Sequence, residues 1–349
     1  MTTRLQSRLL QASKVALGDR DARKGLLVLP PGPGFHDRLQ QWFSQLSVHH
    51  HDYAYYLRDR ERCPQGVEVR FSMECPPSDT PYHTCLLFLP KARELARYLM
   101  WSVRGVSGSN TRVLVLGRKR SSIMPAARDL VRLVGPVTGT VRARHCIAHS
   151  AEVASSPENI EWKKTHRARI GEREVEVVSL PGVFSHGRLD PGTGLLLETL
   201  RTHRFRRALD WGCGSGVVGA YLGIGCSGGS VESMDSSVAA VLSARLTMQA
   251  NNLQPDKVFA SDAYSEVEGR FDLIVSNPPF HRGYEYTSAA FEELVRGAPD
   301  HLTGSGRLVV VVGVSSPALR ILRRFFGRIR TLSEKDGYRV IEAREPRSQ

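Results

Sequence analysis

Asn277-Pro278-Pro279-Phe280 directly follows the apolar run Phe271-Asp-Leu-Ile-Val275 and Ser276. The side-chain oxygen of Asn277 and the backbone carbonyl of Pro278 can accept the two hydrogens of a single planar N–H2 group. Accepting both draws the nitrogen toward tetrahedral geometry and frees its lone pair from conjugation. Proline fixes φ near −65°, so the acceptors are held in place before any reaction begins. Phe280 adds an aromatic face, and base stacking contributes about 1–3 kcal/mol per base. This is equipment for a transfer to an exocyclic or amide nitrogen, with much of the rate coming from orientation and the proton leaving after the new bond forms. Alone, the tetrapeptide reads as a proline-rich turn. Its place behind a strand, 67 residues after Asp210, gives it the sharper meaning.

Asp210-Trp-Gly212-Cys-Gly214-Ser-Gly216 follows a short apolar strand and opens a helix. Glycines there let the backbone approach a ligand closely. Gly214-Ser-Gly216-Val-Val-Gly219 also fits a dinucleotide fingerprint, with Asp235 about 20 residues further on. Two features favour S-adenosylmethionine over a dinucleotide. Asp210 suits a cationic amino group and would repel a pyrophosphate, and the Asn277 loop lies beyond the fourth strand. In this reading Asp235 accepts the ribose hydroxyls and Asp262 accepts from the adenine amino group. Leu189-Asp190-Pro-Gly-Thr193-Gly194 closes over the methionine end through Asp190 and Thr193. The plainer roles are a helix N-cap for Asp235, a turn residue for Asp262, and a tight loop with an N-cap for Asp190 to Gly194.

These residues need strands and helices to hold them. Strands are expected at Arg207–Asp210, Ser230–Met234, Val258–Ala260, Phe271–Val275, Arg307–Val312 and Arg339–Ala343. Helices are expected at Val217–Leu222, Val238–Asn251, Ser288–Arg296 and Pro317–Phe326, and Gly304-Ser-Gly306 reads as a turn. Alternation of this kind implies an α/β fold with a parallel sheet covered on both faces. The N-terminal half repeats the rhythm more weakly. Gly25–Leu29 runs into Pro30-Pro-Gly-Pro-Gly34, Val67–Phe71 is a strand, Thr84–Leu89 runs into Pro90-Lys91, and Arg112–Leu116 runs into Gly117. The 60-residue step from Pro30 to Pro90 parallels that from Asp210 to Asn277, which suggests a duplicated domain whose first copy has lost its chemistry. The expected domains are 1–155 and 166–349, with Ser150 to Lys164 as linker.

The chain of 349 residues carries a net charge of +13, a balance that favours a polyanionic partner such as nucleic acid. Residues 1–165 hold 25 Lys and Arg against 14 Asp and Glu, whereas residues 166–349 hold 23 against 21. The surplus therefore points to RNA docking by the first half, with Arg118-Lys119-Arg120 as the candidate face. His49-His-His51 lacks spaced metal-ligand partners and reads as a surface turn, so no metal is expected. The six cysteines form no C-x-x-C pair, which fits a reducing compartment. Met1 to Lys24 has no apolar signal core, and no window of 18 uncharged apolar residues exists. The expectation is a cytoplasmic monomer with no membrane partner.

Together, Pro181-Gly-Val-Phe-Ser185, Leu189-Asp190, Asp210-Trp-Gly-Cys-Gly-Ser-Gly216, Ser276-Asn-Pro-Pro-Phe280-His281 and Arg296-Gly-Ala298 resemble the bacterial ribosomal RNA small subunit methyltransferase C family. The resemblance implies two tandem Rossmann-like class I methyltransferase domains. Each would be a mainly parallel seven-stranded sheet flanked by helices, with the N-terminal copy degenerate. It also implies S-adenosylmethionine-dependent N2-methylation of a guanosine in 16S ribosomal RNA. Asn277, Pro278 and Phe280 then carry over as substrate and catalytic residues, and Asp210, Gly212, Asp235 and Asp262 as cofactor contacts. The chain departs from the family pattern at Trp211, at His186-Gly-Arg188 and at Pro191. A 23S rRNA guanine-N2 enzyme, a glutamine methyltransferase acting on a release factor, and a non-catalytic RNA-binding protein stay open as alternatives. A nicotinamide-dependent oxidoreductase is a weaker one, because no proton relay is evident.

Overall fold

The structure, a computed structural model, describes residues 4–18, 22–119, 123–154, 159–201, 203–225, 228–278, 281–282, 285–286 and 289–347. The chain divides into two compact units, Met1–Trp162 and Lys163–Gln349. The first runs α1 (Arg4–Leu17), β1 (Ala22–Val28), β2 (Phe43–His50), α2 (Tyr53–Glu61), β3 (Val67–Phe71), β4 (Tyr82–Phe88), α3 (Arg93–Gly105), β5 (Ser107–Arg118), α4 (Ile123–Leu133), β6 (Val137–Ala143) and β7 (Cys146–Glu152). Its seven strands lie in the order β3-β2-β1-β4-β5-β7-β6.

The second unit begins with a separate hairpin, β8 (Lys164–Ile170) and β9 (Arg173–Ser179). There follow α5 (Pro191–Leu200), β10 (Arg207–Trp211), α6 (Val217–Gly225), β11 (Ser230–Asp235), α7 (Val238–Ala250), β12 (Val258–Ala260) and β13 (Phe271–Ser276). The chain continues through the two-residue strands β14 (His281–Arg282) and β15 (Glu285–Tyr286), then α8 (Ala289–His301), β16 (Leu302–Gly313), α9 (Ala318–Leu322), β17 (Phe326–Lys335) and β18 (Tyr338–Pro346). The main sheet has the order β12-β11-β10-β13-β16-β18-β17. The two sheets thus share one strand order, parallel except for a reversed penultimate position, as a duplicated domain requires.

The valine run of β16 shows why this sheet is covered on both faces. Val309 and Val311 belong to one buried cluster, while Leu308, Val310 and Val312 belong to the cluster on the other face. Side chains alternate across a strand, so a continuous apolar run suits a central strand. The duplication extends to the loops. Leu29 follows β1 as Gly212 follows β10, both in the left-handed region (φ +52° and +72°). Leu89-Pro90 follows β4 as Asn277-Pro278 follows β13.

Several expectations need correction. His49, His50 and His51 are not a surface turn. They are buried at the end of β2, because each ring finds a partner. His49 Nε2 donates to the Ser72 carbonyl at 2.7 Å, His51 Nε2 donates to the Met73 carbonyl at 2.9 Å, and His50 Nε2 meets Asp59 Oδ2 at 2.8 Å. Gly304-Ser-Gly306 lies inside β16, where the ladder with β13 shifts register. The segment read as linker starts later than its composition suggested, since Ser150 to Glu152 pair in the first sheet; residues 155–158 lie outside the described residues. The last helix spans only Ala318–Leu322, and the arginine-rich stretch after it leads into β17. Among the described residues no helix is long and apolar enough to cross a membrane, and no group of three or more His, Cys, Asp or Glu is arranged to hold a metal ion.

Candidate active site

The parallel strands of the second sheet end together, and their carboxyl ends open into a cavity of about 700 Å3, within the range of small-molecule sites. It lies where strand order reverses between β10 and β13, the position where open α/β sheets bind ligands. Asp190, Thr193, Asp210, Gly212, Gly214, Asp235, Asp262, Asn277 and Pro278 all line it. Gly216 does not. A Cβ there would lie 2.7 Å from the Ala244 backbone, so this glycine serves the close packing of α6 on α7. Pro279 and Phe280 lie outside the described residues, as does Arg120. Arg118 ends β5 in the first unit, with Lys119 just beyond it, and both are exposed there.

Asp210, 1% exposed at the end of β10, accepts a hydrogen bond from the Gly219 N–H at 2.9 Å. Burial pushes its carboxyl up to about 7; the Gly219 hydrogen bond resists, and the charge of Asp235 adds to the rise. A cation beside this carboxylate would favour its ionised form and bring it back down. Asp235 closes β11. Its Oδ2 accepts from the Gly214 N–H at 3.0 Å and its Oδ1 from the Ser237 N–H at 2.9 Å, which fixes the glycine loop against the start of α7. An ionised carboxylate has about four lone-pair sites, so hydroxyl donors can still be accepted. Asp262 occupies the turn after β12, where its N–H donates to Ser265 Oγ at 3.1 Å. Six lining residues are acidic (Asp190, Asp210, Asp235, Asp262, Glu293, Asp336) against one arginine and one histidine, Arg188 and His166. That balance suits a cationic ligand and opposes a pyrophosphate.

Asn277 emerges from β13 beside β10, where Ser276 Oγ donates to the Trp211 carbonyl at 2.7 Å. Its amide nitrogen donates to Asp190 Oδ2 at 3.0 Å and to Thr193 Oγ1 at 2.8 Å. A carboxylate only accepts, so the nitrogen must face Asp190 and the oxygen must face away. Asp190 is in turn fixed as the N-cap of α5: its Oδ2 takes the Thr193 N–H at 2.9 Å, and Pro191 starts the helix. Thr193 Oγ1 also reaches Asp190 Oδ2 at 3.3 Å. The structure therefore places Asp190 and Thr193 behind Asn277, where they define which way its amide points.

Phe184 was legible only as part of a motif. It lines the cavity and is 68% exposed, on a loop whose neighbour Val183 is buried. The loop is pinned. Gly182 and Ser185 take positive φ (99° and 53°), Ser179 Oγ meets His186 Nδ1 at 2.9 Å, and the Gly187 N–H donates to Ser179 Oγ at 3.2 Å. The available signal was a Phe beside two glycine positions; its outward direction depends on Val183 taking the inward one.

A tandem Rossmann-like fold with an acid-lined crevice at the switch point of its second sheet is a methyltransferase architecture. The methyltransferase small domain model matches residues 174–342, and the methyltransferase small domain N-terminal model matches residues 15–168. Proteins named ribosomal RNA small subunit methyltransferase C are clearly similar. The one from Vibrio parahaemolyticus is 32% identical over 299 residues, covering 84% of this chain and 85% of that one. The Stutzerimonas stutzeri protein is 36% identical over 286 residues, with coverage of 80% and 85%. The Pseudomonas paraeruginosa protein is 37% identical over 268 residues, with coverage of 76% and 80%. The chain belongs to the ribosomal RNA small subunit methyltransferase C family. A solved T. thermophilus 16S rRNA N2 G1207 methyltransferase, in complex with AdoMet and guanosine, shares the fold with a TM-score of 0.82 at 23% identity, over 98% of this chain and 92% of that one.

Proposed function

We propose that the protein transfers a methyl group from S-adenosylmethionine to the exocyclic N2 of a guanosine in 16S ribosomal RNA. The observation that carries this reading is the doubly anchored amide of Asn277. Its nitrogen is committed to Asp190 and Thr193, and its oxygen is left as a fixed acceptor at the carboxyl end of β13. The small-subunit names of the relatives favour 16S over 23S RNA as the target.

The cavity residues fit the methyl donor. Gly212 takes a positive φ of 72° with open space beside its Cα, which lets a ligand approach the backbone. All three acidic side chains line the cavity, and in this reading Asp210 holds an amino cation, Asp235 a ribose and Asp262 an adenine amino group. When bound, the cofactor would supply an activated sulfonium methyl to the N2 lone pair and leave as the neutral thioether as the carbon–sulfur bond breaks. Asn277 Oδ1 and the Pro278 carbonyl accept the two N2 hydrogens and turn the lone pair toward the methyl. The amide cannot rotate without breaking both of its anchoring hydrogen bonds, so this orientation is set before substrate arrives. One N2 proton passes to water after transfer, and no strong base is needed. Phe184 offers an aromatic face at the rim, which suits a base taken out of its stack.

The test is methyl transfer from labelled cofactor to separated small and large ribosomal subunits taken from a strain that lacks the enzyme. Nucleoside digestion is expected to yield N2-methylguanosine at one position of 16S RNA. Label in 23S RNA, or in protein glutamine, would replace this reading.

A further inference from the structure

Between Asp300 and Glu334 the chain has six arginines and no acidic residue. The near balance of charge over residues 166–349 conceals this block. α9 turns Ala318, Ile321 and Leu322 into the core, so Arg320, Arg323 and Arg324 are left outward and exposed. The chain then enters β17, the edge strand of the sheet, where Phe326 is buried and Arg328 and Arg330 are exposed. As an i, i+2 pair these two share a face of the strand. Among the described residues none of the five has an ion-pair partner.

The fold does not ask for this arrangement. Arg328 stands opposite Arg344 in the ladder, and like charges directly opposite destabilise a strand pair. Arg330 stands opposite Glu342, but that carboxylate already serves Arg344 at 2.9 Å and Arg307 at 3.7 Å. Charged residues on an edge strand do block sheet-to-sheet pairing, which accounts for Arg328 and Arg330 but not for Arg320 on α9 or for Arg323 and Arg324 just after it. Arginine rather than lysine at all five positions gives planar forks that match phosphate oxygens in pairs.

Building on the functional reading above, we propose that the α9–β17 margin of the catalytic unit is an RNA-docking surface that grips the phosphate backbone of the ribosomal RNA substrate. Docking is then not confined to the basic first unit. The unit that carries the chemistry has its own electrostatic hold on the strand it modifies.

The test compares the full chain with two variants, one with Arg320, Arg323, Arg324, Arg328 and Arg330 all changed to Gln and one with all five changed to Lys. Binding of protein-free 16S RNA is measured by filter retention across a range of potassium chloride, with cofactor affinity and thermal unfolding as controls. The Gln variant is expected to bind at least about tenfold more weakly near 150 mM salt. Its log–log salt slope should be shallower by about 0.7–0.9 for each phosphate that is no longer neutralised. Cofactor affinity and unfolding should match the unaltered chain, and the Lys variant should keep most of the slope. If five changes disturb folding, the pair Arg323→Gln and Arg328→Gln asks the same question, with a slope change of about 1.4–1.8 expected. An unchanged slope and affinity in the Gln variants would overturn this inference alone. Failure of the unaltered chain to bind the RNA would overturn it together with the functional reading.

Discussion

Thr193→Val separates orientation of Asn277 from binding of the cofactor. The substitution nearly preserves shape at a buried position but removes the oxygen that accepts from Asn277 Nδ2 at 2.8 Å and that reaches Asp190 Oδ2 at 3.3 Å. The amide then keeps only its bond to Asp190 at 3.0 Å. A donor left unpaired costs about 1–3 kcal/mol, and rotation of the amide would recover that cost by misaligning the oxygen. At about 1.4 kcal/mol per tenfold, kcat should fall roughly 5- to 150-fold. Thr193→Ser keeps the oxygen and should stay within about threefold of the unaltered enzyme. Single-turnover methylation at saturating RNA measures the rate, and calorimetric titration measures cofactor affinity, which should change less than twofold. The reasoning is refuted if Thr193→Val loses cofactor affinity in proportion to rate, which would make Thr193 a cofactor contact. It is equally refuted if the serine variant is as slow as the valine one.

Three further outcomes are expected. Because burial pushes the Asp210 carboxyl up to about 7 in the cofactor-free protein, a cationic ligand that needs the ionised form should bind about tenfold more weakly for each pH unit below 7. The same carboxyl keeps a proton that the unfolded chain gives up near pH 4, so cofactor-free stability should fall as pH rises from 4 to 7. Asp210→Asn should remove both dependences and raise the pH 8 melting temperature while weakening the cofactor, and titrations showing no pH dependence would contradict this. Phe184→Ala should raise the KM for RNA about 5- to 150-fold, from a stacking energy of about 1–3 kcal/mol forgone, with cofactor affinity unchanged; a loss of cofactor affinity instead would make the loop a lid. In the first unit, burial lowers His49 well below its usual range, with His51 adding to it, and burial lowers His51 to about 4. The unfolded chain binds those protons below about pH 6.5, so stability should be full above that pH and lost as pH falls toward 4. Hydrogen exchange should show β2 opening first on acidification, and uniform protection at pH 5 would count against it.

Much of the second unit was legible because its central strands are continuous apolar runs and its site residues follow strand ends. The helix expected at Val238–Asn251 is α7, and the strand before Asn277 is β13. What stayed hidden depends on partners remote in sequence. Nothing local says that Asp190 and Thr193 meet Asn277, 87 and 84 residues away. Polar residue types made His49 to His51 look exposed, yet carbonyls from the loop after β3 and the carboxylate of Asp59 satisfy them inside. β17 escaped notice because an edge strand needs little apolar surface, and its apolar residues Phe326, Ile329 and Leu332 are three apart rather than two. Net charge per half hides detail for a related reason: it averages over the acid-lined cavity and the arginine block of one unit.

The central claim is that Asn277 presents a fixed acceptor to the N2 group of a guanosine in 16S RNA. The measurement closest to it is single-turnover transfer of labelled methyl to small subunits by Asn277→Ala, with cofactor affinity measured on the same preparation. The account predicts a rate lower by roughly 100- to 1,000-fold, the scale of removing one preorganised polar group, with cofactor affinity within about twofold of the unaltered chain. Transfer at the unaltered rate, or label recovered anywhere other than N2 of guanosine, would contradict it.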